Sequence, residues 1–304
     1  MTARKVDCKM RYASPLRYPG GKACLAQFLE DTIDINDLRG CSYFEPYAGG
    51  AGAALKLLYE GVVTELFLND LDYRVYSFWK SAIEKTDEFI SLIRNASLSI
   101  AEWHHQSEIC KKPGRHKLID IGFAAFYMNR CNRSGIITGA GPIGGYDQLG
   151  KWKVDVRFNR ESLSERIFEL GKHRSQINVS RVDAIDFLRT HLPRGLKRRK
   201  VFVYVDPPYV GNGQRLYLNS YVDKDHRALA RYLNNQSLLS WVVSYDDAQL
   251  VRECYGDQRI RKVEIQYALQ SKKAAEELII VPQHVALPGY CRKPTSSREL
   301  VKVT

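Results

Sequence analysis

The chain alternates short apolar, β-prone runs with stretches whose apolar residues recur at helical spacing. Six runs stand out as strands: Ser42 to Glu45, Val62 to Leu68, Val201 to Val205, Leu239 to Ser244, Ile260 to Gln266 and Leu278 to Val281. Between them, Ala51 to Leu58 opens a compact apolar helix. Ala228, Leu229, Tyr232 and Leu233 share a face of another helix, which Asp223 is placed to cap. Strands alternating with helices predict an α/β fold, a mostly parallel sheet covered by helices.

The middle of the chain breaks this rhythm. From Asp72 to Lys172 strand signals are few; helical patterns occupy Val75 to Arg94 and Leu118 to Asn129, and a Gly-rich stretch runs from Asn129 to Arg160. That stretch holds six Gly, six Lys or Arg and two acidic residues, so its net charge is +4 and its glycines permit unusual backbone angles. Residues 72–172 therefore read as a segment inserted into a framework made of 1–71 and 173–304. The tract Lys197, Arg198, Arg199, Lys200 just before a strand reads as a solvated loop rather than a contact surface.

Charge narrows the class of partner. Lys and Arg number 46 against 34 Asp and Glu among 304 residues, and the resulting +12 attracts polyanions, nucleic acid first and an acidic membrane second. No apolar run approaches the ~18 residues that a membrane span needs, which removes the second. The first ten residues are polar and charged, without the apolar core of an export signal, so a cytoplasmic location is expected. The seven cysteines are scattered with no C-x-x-C pair and read as reduced and structural; His104 and His105 are adjacent, face different ways on any helix, and point to no metal site.

Chemistry is suggested at two strand ends. After the first strand comes Tyr43-Phe-Glu-Pro-Tyr-Ala-Gly-Gly-Ala-Gly52 and then a helix, so a ligand can approach the backbone and the free N–H groups of a helix N-terminus. The spacing fails G-x-G-x-x-G and lacks the Gly-Lys-Ser/Thr of a P-loop, and a plain tight turn would look much the same. Eighteen residues on, Asp70 ends the next strand, where a carboxylate can accept hydrogen bonds from ribose hydroxyls. The pair suggests a nucleoside-containing cofactor at the carboxyl edge of the sheet. After Val201 to Val205 comes Asp206-Pro-Pro-Tyr209, in which neither Pro207 nor Pro208 has an N–H, so the turn offers acceptors without competing donors. That suits a substrate amino group. An amino group conjugated to a purine is a poor nucleophile; hydrogen bonds to the Asp206 carboxylate and the Pro207 carbonyl would localise its lone pair, with Tyr209 stacking on the ring.

Taken in order, Arg17-Tyr-Pro-Gly-Gly-Lys22, Phe44-Glu-Pro-Tyr-Ala-Gly-Gly-Ala-Gly52, Asn69-Asp70 and Asp206-Pro-Pro-Tyr209 resemble the Dam-type DNA adenine-N6 methyltransferases, over about Arg17 to Val281. The resemblance implies a Rossmann-like domain using S-adenosyl-L-methionine, with 72–172 as the target-recognition region for double-stranded DNA. By motif it places Tyr18, Lys22, Glu45, Pro46, Gly49, Gly50, Gly52, Asp70 and Asp206 around the cofactor, and Asp206, Pro207, Pro208 and Tyr209 around the reacting adenine. Asp183 is a candidate for the cofactor's adenine and equally for a helix N-cap. Ser244-Tyr-Asp-Asp247 resembles a later turn that shapes the target pocket.

One departure stands out. Many relatives follow Asn-Arg with an aromatic residue and Asn-Gly, whereas Asn129-Arg130-Cys131-Asn132 here leads into Arg133-Ser134-Gly135, so neither aromatic insertion nor a GATC target carries over. Arg130, Asn132, Arg133 and Ser134 remain candidates for the DNA, and Lys151, Lys153 and Arg157 alternate as one basic face of an expected strand. The expected reaction is methylation of adenine N6 after the base is turned out of the duplex, by direct displacement and without a cysteine nucleophile. The acceptor pair would also serve cytosine N4 or a glutamine amide, although Asp before Pro-Pro disfavours both. A DNA-binding module with a vestigial cofactor fold is the non-enzymatic alternative, separable by cofactor titration.

Overall fold

A computed structural model describes residues 14–17, 22–210, 221–266, 274–289, 291–292 and 300–301. Its centre is a seven-stranded sheet of β1 (Cys41–Glu45), β2 (Val63–Asn69), β3 (Ile177–Ser180), β4 (Val201–Val205), β5 (Ser240–Asp246), β6 (Arg259–Gln266) and β7 (Ala274–Val281), in the order β3-β2-β1-β4-β5-β7-β6. The first five strands pair in parallel, and β7 is antiparallel to both of its neighbours. Each expected run forms a strand, and the short β3 joins them at the edge. The fold is the α/β Rossmann-like sheet that the motifs implied.

Alternation along β4 shows how the sheet is buried. Phe202 and Tyr204 enter one hydrophobic cluster, and Val201, Val203 and Val205 the other. The second face is covered by α8 (Ala184–His191), α9 (Asp223–Asn234) and α10 (Gln249–Cys254), whose Leu188, Leu229, Leu233 and Val251 pack on it. Asp223 opens α9 instead of capping it; Asp225 reaches back to the Val222 N–H at 3.0 Å.

The first face carries α1 (Ala26–Ile35) and α2 (Gly52–Tyr59) together with α3 (Tyr73–Glu84), α4 (Thr86–Asn95), α5 (Ile100–Lys111), α6 (Leu118–Cys131) and α7 (Arg160–Lys172). The expected helix over Val75 to Arg94 is two helices, broken at Lys85, where the backbone leaves helical angles. Phe78, Phe89, Phe126 and Phe158 sit in the same cluster as Leu66 and Tyr204 of the sheet, so the segment 72–172 shares its core with the framework. Trp79 of α3 packs into this cluster too. Its indole N–H reaches the turn that follows β1.

Candidate active site

Strand order reverses between β1 and β4, and at such a switch the loops leaving neighbouring strand ends part to form a crevice. Both chemically suggestive turns emerge there. After β1 the chain turns through Gly49 (φ +44°) and Ala51 (φ +43°), left-handed angles that glycine takes freely and alanine takes only when its surroundings hold it. They do. The Gly49 N–H donates to Asp70 Oδ2 at 2.9 Å, and the Gly49 carbonyl accepts from Trp79 Nε1 at 2.9 Å. Asp70 Oδ1 accepts from the Asp72 N–H at 2.9 Å, so this carboxylate braces two loops. Burial pushes its pKa up to about 7, with the Asp72 charge adding to the effect and its backbone donors opposing it.

Buried Asn69 staples the strand ends together. Its amide donates to the carbonyls of Pro46 and Val182, both at 3.0 Å, and its Oδ1 accepts from Ser180 Oγ and the Val182 N–H. Asp183 follows directly and is the N-cap of α8, accepting from Ile185 N at 2.8 Å. Glu45, the last residue of β1, is 5% exposed and its Oε2 has no hydrogen-bond partner among the described residues. Burial, helped by the charges of Asp206 and Asp70, holds its carboxyl well above the usual range.

The turn after β4 is built around a buried lysine. Lys22, 5% exposed, donates to Tyr209 Oη and to Glu277 Oε1, both at 2.6 Å, and lies 3.6 Å from Asp206 Oδ1. Tyr209 also donates to Glu277, and the ammonium sits 5.1 Å from the Tyr209 ring centroid. Ser244 of β5 donates to Asp206 Oδ1 at 2.8 Å and lies 2.8 Å from Tyr204 Oη. Asp246 accepts from the Val210 N–H at 3.0 Å, which ties the far end of the turn to β5. Burial alone would lower the Lys22 pKa, but Asp206 and Glu277 more than offset it and leave it raised. Asp206 is pushed up to about 6 by burial, with Lys22 and Ser244 pulling down and Glu277 pushing up.

The two halves face one crevice: an open-backbone turn braced by a carboxylate, and an acceptor-only turn braced by a cation. A family model described as D12 class N6 adenine-specific DNA methyltransferase matches residues 18–269. The chain belongs to this family. It is an enzyme that methylates adenine N6 in DNA, with a methyl donor as the second substrate. Cytosine N4, a protein amide and a vestigial fold are thereby set aside. No curated protein matches the chain. Among solved structures it is similar to a conserved hypothetical protein of Streptococcus pyogenes, at 11% identity over 84% of this chain and 97% of that one, with a TM-score of 0.35. So distant a likeness says nothing about function.

The residues expected at the DNA divide in this adenine methyltransferase. Arg130 is buried and donates through Nη2 to the Pro15 carbonyl, and Asn132 is fully buried. Asn132 accepts from Trp103 Nε1 at 2.6 Å and donates to the Ile136 carbonyl at 2.7 Å. Both side chains are committed to the protein interior. Arg133, Lys151, Lys153 and Arg157 are exposed, and Ser134 is half-buried in a left-handed turn (φ +56°) with Gly135 after it. Lys151 to Arg157 is a run of turns and not the expected strand. The reason lies in its anchors: Val154 and Phe158, four residues apart, plug the core, and Gln148 Oε1 takes the Val154 N–H at 2.8 Å, so no ladder forms.

Tyr18 lies outside the described residues. Among these, no helix is long and apolar enough to cross a membrane and no group of His, Cys, Asp and Glu forms a metal site. Cys24, Cys41, Cys110, Cys131 and Cys254 are free; burial pushes Cys24 up to about 11 and Cys41 up to about 12, which keeps these thiols protonated. Arg198 of the basic tract is tied to the Pro193 carbonyl and to Gln236. Glu277 is not among the residues that the motifs mark. Its only trace in the sequence is a carboxylate directly before the apolar run Leu278 to Val281. Ser244 and Trp79 complete the support.

Proposed function

We propose that the methyl donor is S-adenosyl-L-methionine, held across the carboxyl edge of β1 and β2, and that an adenine turned out of double-stranded DNA meets it at Asp206 to Tyr209. The observation that carries this reading is the adjacency of the two turns at the β1/β4 switch. The donor set suits the cofactor: the turn through Gly49, Gly50 and Gly52 and the start of α2 would receive its methionine part, beside Pro46 and Glu45. Asp70 would take its ribose hydroxyls. A half-buried carboxyl with a pKa near 7 gains from such donors, since each favours the charged form. Asp183, with Oδ1 used in capping and its side chain exposed, is available to the adenine.

S-adenosylmethionine supplies a methyl group on a sulfonium, whose electron pair stays with sulfur when the methyl leaves. The protein orients the nitrogen that receives it. Ser244 holds Asp206 through Oδ1, and no described residue hydrogen-bonds Oδ2, which can accept one proton of the adenine amino group while the Pro207 carbonyl accepts the other. With a pKa near 6, Asp206 is ionised at neutral pH and able to take the proton that nitrogen loses as the new bond forms. Lys22 keeps that carboxylate charged, and Tyr209, with its hydroxyl tied to Lys22 and Glu277, presents a fixed ring for stacking. Extrusion of the base costs a few kcal/mol and is needed because the duplex hides N6. Within 72–172, the exposed basic stretch from Arg133 to Arg157 is the part that would meet the DNA, and the helices α3 to α7 support it.

Asp206→Ala tests the chemistry. Single-turnover methyl transfer at saturating donor should fall by about 10²–10⁴, the scale of one positioned catalytic group. A folded variant within a few-fold of wild type would sink the amino-group mechanism. Methylation-sensitive sequencing of DNA from cells that express the chain identifies its target sequence.

A further inference from the structure

Two-residue alternation along neighbouring strands brings a tyrosine, a serine and an aspartate together at the end of β4. Phe202 and Tyr204 of β4 enter the first hydrophobic cluster, and Asp206 follows two residues on. On β5, Val242 is the register partner of Tyr204 and enters the same cluster, which sets Ser244 beside Asp206. Ser244 Oγ lies 2.8 Å from Asp206 Oδ1 and 2.8 Å from Tyr204 Oη. Tyr204 and Ser244 are both fully buried.

The chemistry of the three groups fixes the direction of this chain. An ionised carboxylate only accepts, so Ser244 commits its single proton to Asp206 and must accept from Tyr204. The phenol stays a donor, because burial, with the Asp206 charge adding to it, holds its pKa well above the ordinary value. Packing alone does not call for a hydroxyl here, since Phe202 fills the same cluster with a plain ring. A lone serine hydroxyl rotates about its C–O bond. One that already accepts from a neighbour has its proton turned toward its other partner and polarised in that direction.

We propose that Tyr204 is a positioning residue for methyl transfer: by donating to Ser244 it aims the serine proton at Asp206 and holds that carboxylate in the orientation that receives the adenine amino group. This rests on the reading of Asp206 as the acceptor of that amino group. Hydrogen bonding to the charged form of a carboxyl favours that form, so the chain from Tyr204 acts in the same sense as Lys22. The other titratable groups that face Asp206 are Glu277 of β7, Glu45 and Tyr43 of β1, Cys24 ahead of α1 and Tyr209 of its own turn. All of them stay in place in the variants that follow.

The experiment measures single-turnover methyl transfer by the full chain at saturating donor, from pH 5 to 10, on a duplex that the wild type methylates. Steady-state KM for the donor and thermal melts accompany it. Ser244→Ala should move the acid limb up by about one unit and lower the plateau about ten-fold, the scale of one hydrogen bond to a charged group. Tyr204→Phe keeps the ring and leaves Ser244 in place. It should move the limb about half as far and lower the plateau about three-fold, with donor KM within about two-fold of wild type. In a Ser244→Ala background, Tyr204→Phe should change neither limb nor plateau, because the chain it feeds is already cut. A tyrosine that only fills the core gives another pattern: a lower melting temperature, an unmoved limb, and the same loss of rate with or without Ser244. That pattern overturns the proposal. If Asp206→Ala transfers methyl at nearly the wild-type rate, the reading of Asp206 fails and the proposal falls with it. If Asp206→Ala is inactive and the limb of Tyr204→Phe stays at the wild-type pH, the proposal alone fails.

Discussion

Replacing Lys22 with methionine keeps most of the side chain's length and removes the cation between buried Glu277 and half-buried Asp206. Lys22 Nζ lies 3.6 Å from Asp206 Oδ1. At an effective dielectric constant near 20, an ion pair at that distance is worth roughly 4–5 kcal/mol, equivalent to about three pKa units, and measured effects of a close opposite charge run at about 1–3 units. Asp206 sits near 6 with Lys22 present. Lys22→Met should therefore move the acid limb of the single-turnover rate from about 6 up to roughly 7–9, with the plateau at alkaline pH less affected. Removing one partner of a buried pair should also destabilise the fold by about 3–5 kcal/mol. Because Glu277 raises the Asp206 pKa, Lys22→Met combined with Glu277→Gln should return the limb part of the way and recover stability, a coupling that a double-mutant cycle isolates. The assay is methyl transfer across pH 5–10 at saturating donor, with circular dichroism and thermal melts confirming the fold. An unmoved acid limb in folded Lys22→Met, or a double variant no better than the single one, would show that Lys22 does not govern Asp206.

Asp70→Ala should weaken S-adenosylmethionine about 10–150-fold, from a lost charge-assisted acceptor of roughly 1.5–3 kcal/mol; unchanged calorimetric affinity would remove the ribose from Asp70. The same carboxyl has its folded pKa raised to about 7, so its contribution to stability is full below its ordinary value of 3.8 and is lost as pH rises through 7. The melting deficit of Asp70→Ala should accordingly be larger at pH 5 than at pH 8. Trp79→Phe strips the indole N–H from the buried Gly49 carbonyl, and should cost about 1–3 kcal/mol in stability while raising KM for the donor more than it lowers kcat. Arg133→Ala should change the preference among duplex sequences. Lys151→Ala should weaken all sequences alike and flatten the log-log salt slope by ~1; if both variants bind like wild type across a salt series, the stretch is only a solvated surface.

The strand ends were legible because each carries its own local signature: an apolar run, then residues that cannot continue it. Asp70, Asp206 and the Gly49 to Gly52 turn are all of this kind. Glu277 was not, since nothing near it in the chain marks β7 as the antiparallel strand inserted beside β5. Arg130 and Asn132 looked like surface residues by type alone. They are interior because α6 is buried along nearly its whole length and pulls its polar end inward, where backbone carbonyls satisfy it. The alternation of Lys151, Lys153 and Arg157 imitated a strand face because spacing records side-chain order and not the existence of a partner strand. Asp223 misled by one residue, a slip that capping patterns permit whenever two acids flank a helix start.

The contact between Lys22 and Glu277 spans 255 positions of the chain, and that between Arg17 and Asn129 spans 112. A ribosome makes Asn129 well before Glu277, so the segment that carries Arg17 and Lys22 gains its first anchor from α6 and waits for β7 to gain the second. Loop-closure entropy grows with such separations, and contacts of this length form late in folding. The sheet can thus gather its parallel strands while Lys22 is still undocked. Truncated chains that stop before β7 hold the Gly-rich turn and Asp206 but lack the partner that seats Lys22, and they should be silent on DNA. Synthesis through β7 is, in this enzyme, a condition for seating Lys22, written into the order of its contacts.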